Sequence, residues 1–144
     1  MSNNEISFFI PLKKVPTTTH QMKRVAIQKG KPVFYEDEKL KSVRSLFVGH
    51  LAKYAPKEKL KGAIQLHVMW LFKETKKNKS GDFKITKPDT DNLNKLLKDC
   101  MTTCKFWNDD AQVAVEHIEK RYNDIPGILI TINQLGGNDD PNQA

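Results

Sequence analysis

Two cysteines in 144 residues, Cys100 and Cys104, leave little material for disulfide or zinc chemistry. They sit four apart on the apolar side of a predicted helix, with no second CxxC pair and no histidine nearby. Buried free thiols in a reducing compartment are the simpler reading. Long apolar runs are also missing. Nothing approaches the ~20 residues that cross a bilayer, and no charged-then-apolar leader is visible. The expectation is a cytoplasmic protein with neither membrane span nor secretory signal. The GxxxxGK[ST] frame of a phosphate loop is absent, and Ser80-Gly81 does not replace it. There is no internal repeat and no low-complexity segment. One domain is expected over residues 1–134, large enough to bury a core without staples. A disordered tail is expected over 135–144, ending GGNDDPNQA.

Acidic residues are scarce in the first part of the chain. Residues 1–88 hold 19 Lys/Arg against 7 Asp/Glu, whereas residues 89–144 hold 5 against 10, for a net charge of +7. A basic first part beside an acidic second part fits a phosphate-binding surface framing a metal-binding centre. A pI near 9.4 does not establish nucleic-acid binding alone, because many basic proteins carry only solvated lysine.

Residues 5–12 (EISFFIPL) read as a first strand, rich in β-formers and ended by Pro11. Within 13–35, RVAI and PVFY around QKGK predict a short hairpin turned by Gly30, part of a basic arm suited to touching a ligand. Residues 36–54 place Leu40, Val43, Leu46, Phe47, His50, Leu51 and Tyr54 three and four apart. That is a helix with an acidic first turn, and Pro56 lies beyond its end. Residues 63–72 (AIQLHVMWLF) read as a long, largely buried strand, and 73–87 as a mobile basic loop. A second helix over 91–104 carries Leu93, Leu96, Leu97, Cys100, Met101 and Cys104 on one face, capped by Thr90 or Asp91. Residues 113–121 and 127–133 read as strands joined by a turn. The expected fold class is α/β (α+β), two helices on a mixed β-sheet in the order β-α-β-α-β-β. His50 and His67 read as core or edge residues, His20 and His117 have no recognisable partner, and Trp70 and Trp107 read as core or interface aromatics.

Four carboxylates bracket the second helix: Asp89 and Asp91 before it, Asp109 and Asp110 after it. Carboxylates are suitable ligands for a hard cation such as Mg²⁺, which keeps several waters and takes further ligands from substrate phosphate. Like charges clustered closely need a cation to be tolerated. Lys95, one turn after Asp91, adds a fixed positive charge opposite the leucine stripe. Adjacent residues on an extended chain face opposite ways, so only one of Asp109 and Asp110 should join Asp89 and Asp91. Each residue also has an ordinary explanation: an N-cap, a turn, an exposed helix pair. Their joint arrangement in a basic chain favours a metal-dependent enzyme acting on a polyanion.

The stretch KPDTDNLNKLLKD…FWNDDAQV resembles the signature of the RusA family of Holliday-junction resolvases. That pattern is D-x-D-N-x-x-K opening a helix, then about twenty residues to D-D-x-Q-V. Here it reads Asp89, Asp91, Asn92, Lys95, then Asp109, Asp110, Gln112, Val113. The resemblance is dense over residues 87–121, and the element order over 5–133 is compatible with it. It implies a homodimeric, Mg²⁺-dependent endonuclease, with Mn²⁺ as a substitute, that cuts four-way DNA junctions by paired symmetric nicks. It implies that Asp89, Asp91 and Asp110 hold the metal, that Lys95 is the catalytic lysine and that Asp109 is a supporting acid. Lys76, Lys77, Lys79, Lys84 and Lys87 are the expected DNA contacts, in a loop more lysine-rich than the family's. A two-fold dimer would supply two sites for two opposed nicks, with the apolar strands or the Trp70 and Trp107 regions as interface. Two other readings stay open: a less selective phage-type nuclease for branched DNA or flaps, and a non-catalytic DNA-binding module. Retention of all three acids plus Lys95 argues against the module.

Overall fold

The computed structural model describes residues 5–17, 23–28, 30–36 and 38–136, with backbone alone over 23–28 and 32–36. His20 and the tail expected to be disordered, from residue 137 on, lie outside them. In chain order the elements are β1 Glu5–Pro11, β2 Lys23–Gln28, β3 Lys31–Glu36, α1 Glu38–Leu51, β4 Ile64–Lys73, α2 Thr90–Thr103, β5 Val113–Asn123 and β6 Gly127–Gln134. Short 3-10 turns at Ala52–Tyr54 and Asp110–Gln112 follow the two helices. The α+β expectation holds, with the predicted hairpin present as an additional antiparallel ribbon of β2 and β3. Gly30 turns that ribbon at φ 77°, a left-handed geometry that glycine adopts without steric cost.

The main sheet has the order β1-β6-β4-β5. Strands β4 and β5 are parallel and joined through α2, while β6 runs antiparallel between β1 and β4. Gly127 opens β6 where a Cβ would meet the Ile10 carbonyl oxygen and the Phe9 ring, so close strand approach requires its lack of a side chain. One face of the sheet packs under α1 and α2. Ile10, Ile130, Leu66, Val68 and Trp70 from the strands meet Leu40, Phe47, Leu51, Leu97 and Met101 from the helices, all essentially inaccessible to water. Burying each such side chain contributes on the order of 1.5–3 kcal/mol.

Among the described residues no helix covers the other face. Strand β4, largely buried as expected, alternates buried and half-buried over Ile64–Met69, with Gln65, His67 and Met69 on the open side. In β5 the residues directed at the core are Ile118 and Tyr122, while Val115 is 46% exposed. Trp70 and Trp107 are fully buried and cannot form an interface. Each indole N–H has a partner: Trp70 donates to Asn94 Oδ1 at 2.6 Å and Trp107 to Thr102 Oγ1 at 2.7 Å. Cys100 is buried and Cys104 half-buried, both as free thiols. Among the described residues no helix is long and apolar enough to cross a membrane.

The basic segment 73–87 is tied down along β5 rather than hanging as a free loop. Gly81 N donates to Tyr122 O and Tyr122 N to Asp82 O, each at 2.9 Å, and Lys84 N donates to Lys120 O at 2.9 Å. Glu74 accepts from the backbone N–H and hydroxyl of Ser80, which hold its carboxyl below the usual range. These bonds satisfy the outer backbone groups of an edge strand, which would otherwise stay open to pairing.

Candidate active site

Helix α2 begins at an N-cap that the sequence reading placed one or two residues late. The cap is Asp89, in extended backbone geometry with ψ 148°, after a cis Lys87–Pro88 bond. Its side chain makes no capping hydrogen bond; only its carbonyl joins the helix, accepting from Leu93 N at 3.2 Å. Asp91 lies in the first turn, and both it and Lys95 are exposed. The ordinary explanation of these two residues was an ion pair along the helix, and none joins them. Among the described residues, the Asp91 carboxylate and Lys95 ammonium make no hydrogen bond or ion pair. Beside Asp89, the Lys120 ammonium donates to Thr86 O and Pro88 O at 2.7 Å each. Burial lowers the Lys120 pKa most, the neighbouring Lys84 charge lowers it further, and Asp89 opposes both.

At the other end of α2 the two remaining acids differ. Asp109 is the N-cap of the 3-10 turn, and its Oδ1 accepts from Ala111 N at 2.9 Å. Gln112 completes a capping box, its Oε1 accepting from Asn108 N and Asp109 N at 2.9 and 3.0 Å. Its amide Nε2 donates to Leu60 O and Gly62 O, each at 3.1 Å, which fastens the turn to the approach to β4. Asp110, half-buried, has its carboxylate free of hydrogen bonds among the described residues. So Asp109 is occupied in holding the turn, and Asp110 is not.

The structure does not gather Asp89, Asp91 and Asp110 into one coordination shell within a protomer. Among the described residues no group of ligand atoms within 4.8 Å of one another unites them, and the 14-residue helix α2, about 20 Å long, runs between the two ends of the motif. Asp89 and Asp91 are neighbours; Asp110 sits near the start of β4 and β5. Among the described residues, the one trio of His, Cys, Asp or Glu with ligand atoms mutually within 4.8 Å is His67, His117 and Glu119, on the open face of the sheet.

The pattern of free and occupied acids can be set beside known proteins. The family model described as Endodeoxyribonuclease RusA matches residues 11–133. A crossover junction endodeoxyribonuclease, rusA, of Lactococcus phage r1t is 32% identical over 133 residues, covering 91% of this chain and 99% of that protein. The chain belongs to the RusA family.

In this RusA-family chain the D-x-D-N-x-x-K run supplies two free acids and a free lysine at one helix end. The D-D-x-Q-V run divides its labour: Asp109 and Gln112 build the turn, Asp110 is left available, and Val113 starts β5. Among the expected DNA contacts, Lys76, Lys77, Lys79 and Lys87 are exposed. Lys84 is less free, since its ammonium donates to Thr86 Oγ1 at 2.8 Å and lies over the Phe72 and Tyr122 rings.

Sequence reasoning passed over two features. Asn94 is 1% exposed inside the apolar stripe of α2; it accepts from Trp70 and donates to Glu116 Oε2 at 2.8 Å, while Lys98 donates to Glu116 Oε1 at 3.0 Å. A polar residue in phase with Leu93, Leu97 and Met101 was the available signal. Phe83 and Ile85 stand out among the lysines at 61% and 92% exposed.

Proposed function

We propose that the protein is a Mg²⁺-dependent endodeoxyribonuclease that resolves four-way DNA junctions by paired nicks, acting as a two-fold dimer. The observation that carries this reading is the Asp89–Asp91 pair. An aspartate at an N-cap normally earns its place by capping, and this one does not. Two unengaged carboxylates beside an unengaged lysine are unfavourable for folding alone and fitting for a site that takes a cation and a phosphate. Hard oxygen donors suit Mg²⁺, which typically uses one or two carboxylates and leaves other positions to water and substrate phosphate, and Mn²⁺ can substitute. Bound there, the ion would stabilise charge on the scissile phosphate and lower the pKa of an attacking water.

The chain's own residues do the rest. Asp89 and Asp91 hold the site at the positive end of α2, where the helix dipole favours negative charge. Lys95, one turn down the same helix, places a fixed positive charge against the phosphate as its charge develops. Asp110, which shares no close ligand group with them within a protomer, would complete the acid set if a second copy brought its own turn to this helix end. The dimer matches the two-fold symmetry of paired nicks on a junction. Lys76, Lys77, Lys79 and Lys87 hold phosphates, with Lys84 bracing the segment, and Phe83 and Ile85 offer apolar surface to bases at the branch. The two free thiols suit a reducing cytoplasm.

The test is incubation of purified protein with labelled four-way junction, flap and linear duplex, with and without Mg²⁺. Symmetric paired nicks in the junction alone, only with metal, support the proposal. Equal cutting of flap and junction would leave a general branched-DNA nuclease. Binding without cutting in Mg²⁺ and in Mn²⁺ would leave a DNA-binding module.

A further inference from the structure

On the open face of the sheet, β4 and β5 bring two imidazoles and a carboxylate together. His67 and His117 are direct partners in the parallel register, and Glu119, two residues further along β5, leaves the same face. The two rings meet edge-on with centroids 4.3 Å apart. Nε2 of each lies 3.0 Å from the same atom, Oε2 of Glu119. The other oxygen, Oε1, accepts from Arg121 Nε at 2.8 Å. Arg121 is itself fixed, donating from Nη1 to Gly81 O at 2.8 Å and lying 3.9 Å over the Phe83 ring. The Arg121 hydrogen bond first, helped by those of His67 and His117, lowers the Glu119 carboxyl to about 2 against the upward push of burial.

We propose that His67, His117 and Glu119 form a second metal site, for a borderline transition-metal dication of the Zn²⁺ class. Two imidazole nitrogens and one carboxylate oxygen are the donor set such ions take with a fourth position left open. Bonds of about 2.0–2.1 Å in a tetrahedral shell put neighbouring donors about 3.3–3.4 Å apart. The two 3.0 Å separations are close to that, and all three ligand atoms lie within 4.8 Å of one another. Without a metal, Oε2 is shared by the two Nε2 atoms as a hydrogen-bond acceptor. Among the described residues neither Nδ1 has a partner, so each neutral ring can carry its proton there and present the Nε2 lone pair. Arg121 on Oε1 is the outer hydrogen bond that orients a ligating carboxylate. The open position faces solvent, since the His117 side chain is 56% exposed. Mg²⁺ prefers oxygen donors and does not suit this set. Alternation along β5 puts Glu119 opposite Lys120, which bonds to Thr86 O and Pro88 O beside Asp89 on the other face. The site is therefore separate from the proposed nuclease centre and does not depend on it.

Titration of the full chain with Co²⁺ tests this, because tetrahedral Co²⁺ gives a strong visible d–d absorption. The expected result is one Co²⁺ per chain, displaced by Zn²⁺ and untouched by excess Mg²⁺. His117→Gln and Glu119→Gln should each weaken Co²⁺ binding by about tenfold or more. An Asp89→Asn/Asp110→Asn variant and a Cys104→Ser variant should bind it as the parent does. In the unsubstituted protein, one equivalent of Zn²⁺ should move the ring-proton NMR signals of His67 and His117 and leave His50 in place. Absence of a tetrahedral band in the parent chain would overturn the proposal. So would retention of that band in a folded His67→Gln/His117→Gln variant, or Zn²⁺ shifts confined to other residues.

Discussion

Asp89 and Asp109 stand in equivalent places, each an N-cap in extended geometry before a helical turn, and they are used in opposite ways. The Asp109 carboxylate accepts from Ala111 N and is locked by Gln112. The Asp89 carboxylate accepts nothing from its helix. Composition gives the two residues the same meaning; geometry separates an acid that holds a turn from one left unengaged. The same division runs through the neighbours, with Asp91 and Asp110 free and Gln112 fully engaged. A carboxylate that satisfies backbone N–H groups stabilises the fold by about 1 kcal/mol, whereas an unengaged one is available to a cation.

The sharpest way to break this contrast is to neutralise the free acids. Asp89→Asn, Asp91→Asn or Asp110→Asn should each lower single-turnover junction cleavage in Mg²⁺ by on the order of a hundredfold or more. Junction affinity should be kept or improved, because a negative charge is removed near DNA. The melting temperature of Asp89→Asn should stay near that of the parent; a clear drop would mean that Asp89 caps after all. Lys95→Ala should come next, with about a ten- to hundredfold loss of cleavage at nearly unchanged dissociation constant. The Lys76/Lys77/Lys79→Ala triple variant should behave in reverse. Its binding should weaken, the slope of log K against log salt should fall by about 2.7 if all three touch phosphate, and cleavage at saturating protein should persist. The smallest effect on activity belongs to Asp109→Ala. It should cut within about twofold of the parent while losing about 1 kcal/mol of stability, read as a melting shift of roughly 2–4 °C.

Much of the fold was legible because hydrophobic period and turn chemistry agree along most of the chain. Both helices, the β2–β3 hairpin and four strands of the main sheet lie within a few residues of their expected bounds. The misses share a cause: partners distant in sequence. The apolar run of β4 predicted a largely buried strand, but only neighbouring elements decide that Gln65, His67 and Met69 lie on the less covered face. His117 looked partnerless because its partners are set by the parallel register of β4 and β5, which no local pattern encodes. Segment 73–87 looked loose because its lysines and glycine have loop composition, while its order comes from β5, thirty to forty residues later. The candidate acids were legible as types and spacings. Alternation said only that Asp109 and Asp110 should differ, and the resemblance named Asp110; that Asp109 caps a 3-10 turn, and that α2 runs between Asp110 and Asp89, required the structure.

The strand order has one more consequence, for a chain still being made. Every pairing in the main sheet uses β5 or β6, so β1 and β4 have no sheet neighbour until residues beyond 112 have emerged from the ribosome. The earliest and the last strands, β1 and β6, must then find each other across more than a hundred residues. Until β5 emerges, the apolar β4 waits as an unpaired strand, and until β6 follows, its other edge and β1 stay open. Synthesis, not the finished fold, is when this protein is most exposed to aggregation.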